Sequence, residues 1–307
     1  MTRRLTHLTT VTLILIALLF GCSDDGSTDP DSAIPDAPVS DLVHLDRSPV
    51  EASATDQAPS PDTLATTSEQ EPNNGATSTE YNAVQVPALV KGTIGTAGDM
   101  DLFGVTLQAG ERLSMTLRSD GNLQPHLTIF DPAGKLPTAL NPGPGAEVLV
   151  EYYALESAPL IIGVRDRRNI GSGSQNVGDP SFTYTLSLTP LTRPPISASI
   201  AGQHSSSLSP AGTVRVFAFT ASASDDLTLQ VLAKQLTPAS DVDSRLSLFH
   251  PANKAWLGTN DDQTPGSGDS LIQGAVPFDG TYHAIVENES DVIGADLSFT
   301  LKIDKKP

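Results

Sequence analysis

The chain of 307 residues contains a single cysteine, Cys22, which excludes an intrachain disulfide. Aromatic residues make up only 5 %, with one tryptophan. Basic residues are outnumbered 18 to 36 by acidic ones, giving a formal net charge of −18 and a pI near 4.5. That balance excludes the basic stripe that nucleic-acid binding requires. The longest apolar run, Val11 to Phe20, is too short to span a bilayer comfortably. There is no His-Glu-x-x-His, no Gly-x-Ser-x-Gly and no phosphate-binding glycine loop. His44, His126, His204, His250 and His283 are scattered, and no His/Cys cluster exists for a transition metal. Catalysis therefore finds no support, and the chain reads as a non-enzyme. What is plentiful is glycine and proline, 24 of each, which favours short strands and many turns over long helices.

The N-terminus carries an address. Arg3 and Arg4 precede the apolar run, which reads as the core of a signal peptide spanning residues 1–21. Leu19-Phe20-Gly21-Cys22 resembles a lipobox, in which cleavage before Cys22 leaves a thiol that carries a diacylglycerol; Phe20 is bulkier than usual at its position. The expectation is an exported lipoprotein, bound to the membrane through Cys22. Ser23 directs it to the outer membrane under the enterobacterial sorting rule.

Residues 22–69 read as a disordered acidic tether. Asp24, Asp25, Asp29, Asp31 and Asp36 face almost no basic partner, and Pro30, Pro35, Pro38, Pro49, Pro59 and Pro61 break any periodicity. Such a segment buries too little apolar surface to offset its ordering entropy. Its flexible-chain reach is about 35–40 Å, enough to lift the folded part off a membrane.

The remainder repeats itself. Leu127-Thr-Ile-Phe-Asp-Pro-Ala-Gly matches Leu246-Ser-Leu-Phe-His-Pro-Ala-Asn, Asp101 to Val105 matches Arg215 to Phe219, and Ser181 to Leu188 matches Asp296 to Ile303. The order is the same in both halves, at an offset of roughly 115–120 residues. Within each half the apolar period is two: Phe103, Val105 and Leu107; Leu113, Met115 and Leu117 across a turn at Ala109-Gly110; Leu227, Leu229 and Val231; Leu297, Phe299, Leu301 and Ile303. This is half-buried strand patterning. It predicts an all-β chain of two tandem antiparallel β-sandwiches, jelly-roll-like, over residues 70–190 and 196–307, with turns at Asp131 to Gly134 and Phe278 to Gly280. The proline-rich joint Thr189 to Pro195 is expected to stop strand pairing.

Three elements of the first half carry a family resemblance: Glu71-Pro72-Asn73-Asn74, Gly98-Asp99-Met100-Asp101-Leu102-Phe103 and the Phe130 to Gly134 turn. In the second half Asp241-x-Asp243, Asn260-Asp261-Asp262 and Gly280-Thr281-Tyr282 carry it. From about Gln70 onward the chain resembles tandem bacterial pre-peptidase C-terminal (PPC) domains, small β-sandwich modules usually appended to secreted proteases. The collagen-binding domains of clostridial collagenases are similar. Each copy departs from the pattern: the first has Ser157-Ala-Pro-Leu160 in place of the Gly-x-Tyr hairpin, and the second has Val214-Arg-Val-Phe217 in place of the Asp-x-Asp-x-Phe element.

The resemblance implies a structural calcium ion. Calcium takes six to eight oxygen ligands. Glu71 and Asn73 are expected to fold back against Asp99 and Asp101 and to hold one. A second set, Asp241, Asp243, Asn260, Asp261, Asp262 and Asp269, offers the same ligand type across two loops, though Asp and Asn also build solvated turns. Trp256 is either a sugar- or protein-contact aromatic or a core-edge side chain. The leading reading is a binding or scaffolding module of the cell envelope. An adhesin for extracellular polysaccharide or matrix protein is the alternative, which an exposed platform of Trp256, Tyr152 or Tyr153 favours. An accessory subunit or remnant of a secreted protease system is the other.

Overall fold

The computed structural model describes residues 64, 66–73, 80–130, 147–170, 173–289 and 296–307. The signal peptide, Cys22, nearly all of the tether, Asn74 and the Asp131 to Gly134 turn lie outside the described residues. There is no α-helix among the described residues.

The first sandwich contains β1 (Thr66–Ser68), β2 (Asn82–Ala83), β3 (Ala88–Thr93), β4 (Met100–Leu107), β5 (Arg112–Ser119), β6 (Pro125–Phe130), β7 (Val148–Tyr153), β8 (Ala158–Asp166) and β9 (Thr183–Pro190). One sheet has the order β1-β3-β9-β5-β7 and the other β2-β4-β8-β6. The second sandwich contains β10 (Ile196–Ser197), β11 (Gly202–Ser207), β12 (Arg215–Ala221), β13 (Asp226–Leu232), β14 (Ser244–His250), β15 (Ala255–Asn260), β16 (Leu271–Ala275), β17 (Gly280–Asn288) and β18 (Ser298–Lys305). Its sheets have the orders β10-β12-β17-β14-β15 and β11-β18-β13-β16. With β1 and β15 set aside, the two halves match strand for strand. The three repeated segments read from the sequence fall on β4 and β12, β6 and β14, and β9 and β18.

From β3 to β9 each successive strand belongs to the opposite sheet. The turn at Ala109-Gly110 therefore carries the chain from one sheet to the other, with Gly110 at φ 90°. The alternating apolar residues fill the space between the sheets: Phe103, Val105, Leu113, Met115, Leu117, Leu186 and Leu188 in the first sandwich, and Phe217, Phe219, Leu229, Leu246, Phe299 and Leu301 in the second.

Two features differ from the sequence reading. The sandwiches are not wholly antiparallel, because the short edge strands β1, β2 and β10 pair in parallel with β3, β4 and β12. Thr66 to Ser68, assigned to the tether, are laid against Leu89 to Lys91 as β1. Pairing does stop in the joint, as expected, with no strand between Pro190 and Ile196, and Pro190 is the last residue of its strand. It closes β9 opposite Leu113, beyond the point where β3 stops at Ala88 opposite Leu188, so its missing N–H faces no neighbour on that side.

A third apolar cluster joins the halves, which belong to one compact unit, Ala54–Pro307. Tyr153 and Leu155 of the first sandwich pack on Val214, Val216, Phe249 and Ile285 of the second. Tyr153 meets the Phe249 ring edge-on at 5.5 Å between centroids, and its Oη lies 2.8 Å from His283 Nδ1. The Arg193 guanidinium donates to Glu151 at 2.9 Å, and the same carboxylate accepts the Val214 N–H.

Candidate metal centre

Strand β4 begins at the open end of the first sandwich. Alternation puts Asp101 on the same side as Phe103, Val105 and Leu107, so its carboxylate points inward and is fully buried. Asp99 sits in the preceding turn, where Gly98 takes φ 80° and the Gly95 N–H donates to Asp99 Oδ2 at 3.0 Å. The incoming segment 69–73 is then stitched across this mouth. Glu69 N donates to Lys91 O, Gln70 and Asn82 exchange two hydrogen bonds of 2.8 Å, and Leu102 N donates to Asn73 O at 2.9 Å. Asn73 becomes fully buried, and its N–H donates to Glu71 Oε2 at 3.1 Å.

The result is that one carboxylate oxygen from each of Glu71, Asp99 and Asp101 lies within 4.8 Å of the others. The structure thus brings the first sequence-derived set together, from a linker and a strand start some 30 residues apart. Among the described residues this is the one group of three acidic or metal-ligating side chains gathered so closely.

Two further residues belong to the site and were missed in the sequence. The Tyr184 hydroxyl, on β9, lies 2.6 Å from Asp101 Oδ2 and 3.0 Å from Glu69 Oε2. The other Glu69 oxygen accepts the Thr93 N–H at 2.7 Å. Gly92 makes this contact feasible, since a Cβ there would stand 2.2 Å from the Tyr184 hydroxyl and 2.4 Å from Glu69 Oε2. The signal for Glu69 was the spacing Glu69-x-Glu71-x-Asn73, which on an extended segment places all three on one side. Nothing in the sequence pointed to Tyr184, which reads as an ordinary core residue of an alternating strand.

The electrostatics are those of crowded acids. Burial, then the hydrogen bond to Glu69, pushes Asp101 up to about 9. Burial and the nearby Asp99 push Glu71 upward as well. Three carboxyl groups and a buried amide, with no nitrogen or sulfur donor, match the ligand preference of a hard divalent cation, so the residues fit calcium.

The second set does not close on a single point among the described residues. Asp262 accepts from Gly266 N at 2.6 Å and Gly268 N at 2.9 Å, so it builds its own loop. Asp269 is buried and accepts from Ala233 N and Lys234 N, and Asn260 Oδ1 accepts from Leu271 N. Asp241 accepts from Asp296 N at 3.2 Å. Asp241, Asp243, Asp261 and Asp262 nonetheless line one acidic cleft of about 490 Å³ together with Glu289 and Lys234. These acids do not converge on one point; five of the six accept from backbone donors, Asp261 from Asp262 N at 3.0 Å.

Trp256, on edge strand β15, is 38 % exposed and donates from Nε1 to Thr259 Oγ1 at 3.1 Å. Tyr152 and Tyr153 are both buried, so the exposed aromatic platform that would favour the adhesin alternative does not include them. Tyr152 points into the first core, and the second sandwich covers Tyr153 on the opposite face of β7.

No family model matches the chain, and no curated protein matches it. Solved structures do resemble parts of it. The pre-peptidase C-terminal domain of a Bacillus anthracis collagenase is 13 % identical, with 37 % of this chain and 99 % of that one covered and a TM-score of 0.30. A secreted protein of Eubacterium rectale is 12 % identical over 73 % of this chain and 79 % of that one, TM-score 0.25. The M60 catalytic domain with the CBM51-1 and CBM51-2 domains of Clostridium perfringens ZmpB is 9 % identical over 69 % of this chain and 36 % of that one, TM-score 0.22. At such low scores these likenesses add nothing to the functional reading, which rests on the residues themselves.

Proposed function

We propose that this chain is an exported lipoprotein, anchored through Cys22 to the outer membrane, whose tandem PPC-like sandwiches act as a non-catalytic binding or scaffolding module stabilised by calcium. The observation that carries the calcium reading is the convergence of Glu71 with Asp99 and Asp101 within 4.8 Å, beside the buried Asn73. Glu71, Asn73, Asp99 and Asp101 would hold the ion, with Glu69 and Tyr184 fixing Asp101 from behind. When bound, the ion supplies the positive charge that lets these carboxyl groups ionise together. Its structural effect is to pin the end of the tether to the mouth of the first sandwich. The lipid anchor rests on the Leu19 to Cys22 box and the acidic, proline-broken spacer behind it.

The test is a pair of thermal melts of the whole chain, with calcium and with chelator. A ligand at one hundred times its Kd adds about 2.7 kcal/mol, so the midpoint is expected to rise by several degrees with calcium. Glu71→Gln and Asp99→Asn are expected to abolish the rise. Superimposable melts would sink the calcium reading. Intact mass of the membrane-extracted protein, compared with Cys22→Ser, tests the anchor separately.

A further inference from the structure

A second cluster of charge lies at the junction of the sandwiches, remote in character from the acidic centre. Three arginines meet there in a chain of net charge −18: Arg112 on β5, Arg193 in the proline-rich joint and Arg215 at the start of β12. Arg112 Nη1 donates to the Arg193 carbonyl at 2.5 Å, and Arg193 Nη2 donates to both Glu151 Oε2 at 2.9 Å and Val214 O at 3.1 Å. Arg215 Nη2 donates to Ser209 O at 2.9 Å. Glu151 supplies the carboxylate that faces these guanidiniums, and its Oε2 is already shared between Arg193 and the Val214 N–H. Positive charge exceeds negative. The mutual repulsion registers in Arg112 and Arg215, which burial first, and then the Arg193 charge, hold below the usual arginine value.

An independent observation points the same way. Among the described residues, two buried polar atoms on neighbouring residues of this segment have no hydrogen-bond partner: Thr213 Oγ1 and Arg215 Nη1. Thr213 is only 3 % exposed. Leaving such groups unmatched costs about 1–3 kcal/mol each, and native interiors avoid it. Arg215 Nη1 can only donate, so it lacks an acceptor, and the Thr213 hydroxyl can donate to the same group. The cluster meets solvent at its rim, where the Arg193 side chain is 44 % exposed and Arg112 lines a cleft of about 390 Å³ with Leu107, Leu113 and Leu191; Thr213 Oγ1 and Arg215 Nη1 lie buried behind that rim. Glu111 lines the same cleft, with Oε2 accepting from Gln108 N.

We propose that Arg112, Arg193 and Arg215, gathered around Glu151 where the two sandwiches meet, form a binding site for a small oxyanion, a carboxylate or phosphate group. Guanidinium forks are the side chains best shaped for such a group. The site is independent of calcium, and an anion bound there ties residues of both sandwiches together.

The experiment titrates the full chain with inorganic phosphate and, in parallel, with acetate, each against sodium chloride at matched ionic strength. Binding is read by calorimetry and by the amide resonances of Thr213 and Val214. Saturable binding of either anion, with shifts at those two amides, is the expected result, and the stronger of the two identifies the preferred oxyanion. Arg112→Gln is expected to weaken it about 10–100-fold, the loss of one charge-assisted hydrogen bond. Arg118→Gln, an exposed arginine further along β5, is expected to leave it unchanged. Should Arg112→Gln fail to fold, the amide shifts of the unaltered chain still decide the matter. Responses to phosphate and acetate no larger than those to chloride would overturn the proposal and leave the arginines as a purely internal clamp.

Discussion

Acidification should loosen the junction through His283. Its ring is held by burial first, then by the Arg112 charge and the neighbouring His250, at a pKa of about 4 against an ordinary 6.5. In the folded chain Nδ1 faces the Tyr153 hydroxyl at 2.8 Å and the ring stands edge-on to the Tyr153 ring, so the neutral form is the one accommodated. Above pH 6.5 the ring is neutral whether the chain is folded or not, and stability is unaffected. Between 6.5 and about 4 the unfolded chain takes up a proton that the folded chain refuses, so stability falls as pH falls. Below about 4 both forms are charged and the loss levels off. The ceiling is about 3.4 kcal/mol; partial solvent access and screening bring the expected figure to ~1–2 kcal/mol. Urea unfolding of the wild type and of His283→Gln at pH 7.5 and 4.5 isolates this contribution as a difference of differences. The comparison is necessary because Asp101, raised to about 9, acts in the opposite sense: its contribution is present at low pH and is lost as pH rises through that value. Parallel pH dependence in the two proteins would refute the reasoning, as would an imidazole resonance of His283 titrating near 6.5.

Gly92→Ala places a methyl group within 2.4 Å of both the Tyr184 hydroxyl and Glu69 Oε2, and is expected to cost about 1–3 kcal/mol in urea unfolding while also weakening calcium binding. Tyr282→Phe removes the 2.6 Å hydrogen bond to the Phe278 carbonyl and leaves that oxygen unmatched, for an expected loss of about 1–2 kcal/mol by the same assay. Trp256→Ala, at an exposed edge position, is expected to change stability by less than about 1 kcal/mol. Any polysaccharide or protein retained by wild type but not by this variant in affinity electrophoresis would assign Trp256 a contact role.

The sandwich architecture was legible because apolar residues alternate cleanly along β4, β5, β9, β13 and β18, and because three of the strands recur in order. The meeting of Glu71 with Asp99 and Asp101 was legible from motif and resemblance. Strand β1 was not, because Thr66-Thr67-Ser68 has no buried face: all three residues are exposed, and what holds them is backbone pairing to β3. The fate of Tyr152 and Tyr153 was hidden for another reason. Strand β7 lies at the edge of its sheet, and the second sandwich covers the face that carries Tyr153, a contact between distant residues that alternation along one strand does not encode. The acids of the second sandwich show where composition stops informing. Asn260, Asp262 and Asp269 have the ligand chemistry of a cation site, but the same oxygens serve equally well as acceptors for the N–H groups of a tight loop.

The burial of Phe249, Val216 and Ile285 beneath Tyr153 and Leu155 has a consequence for anyone dividing the chain. Although the halves are copies of one pattern, they are not interchangeable beads. Severing them at residues 190–196 would lay bare two complementary oily surfaces, and isolated fragments should clump or re-pair with each other in solution. The two copies are held as one body, and only the undivided pair is a sound object for biophysics.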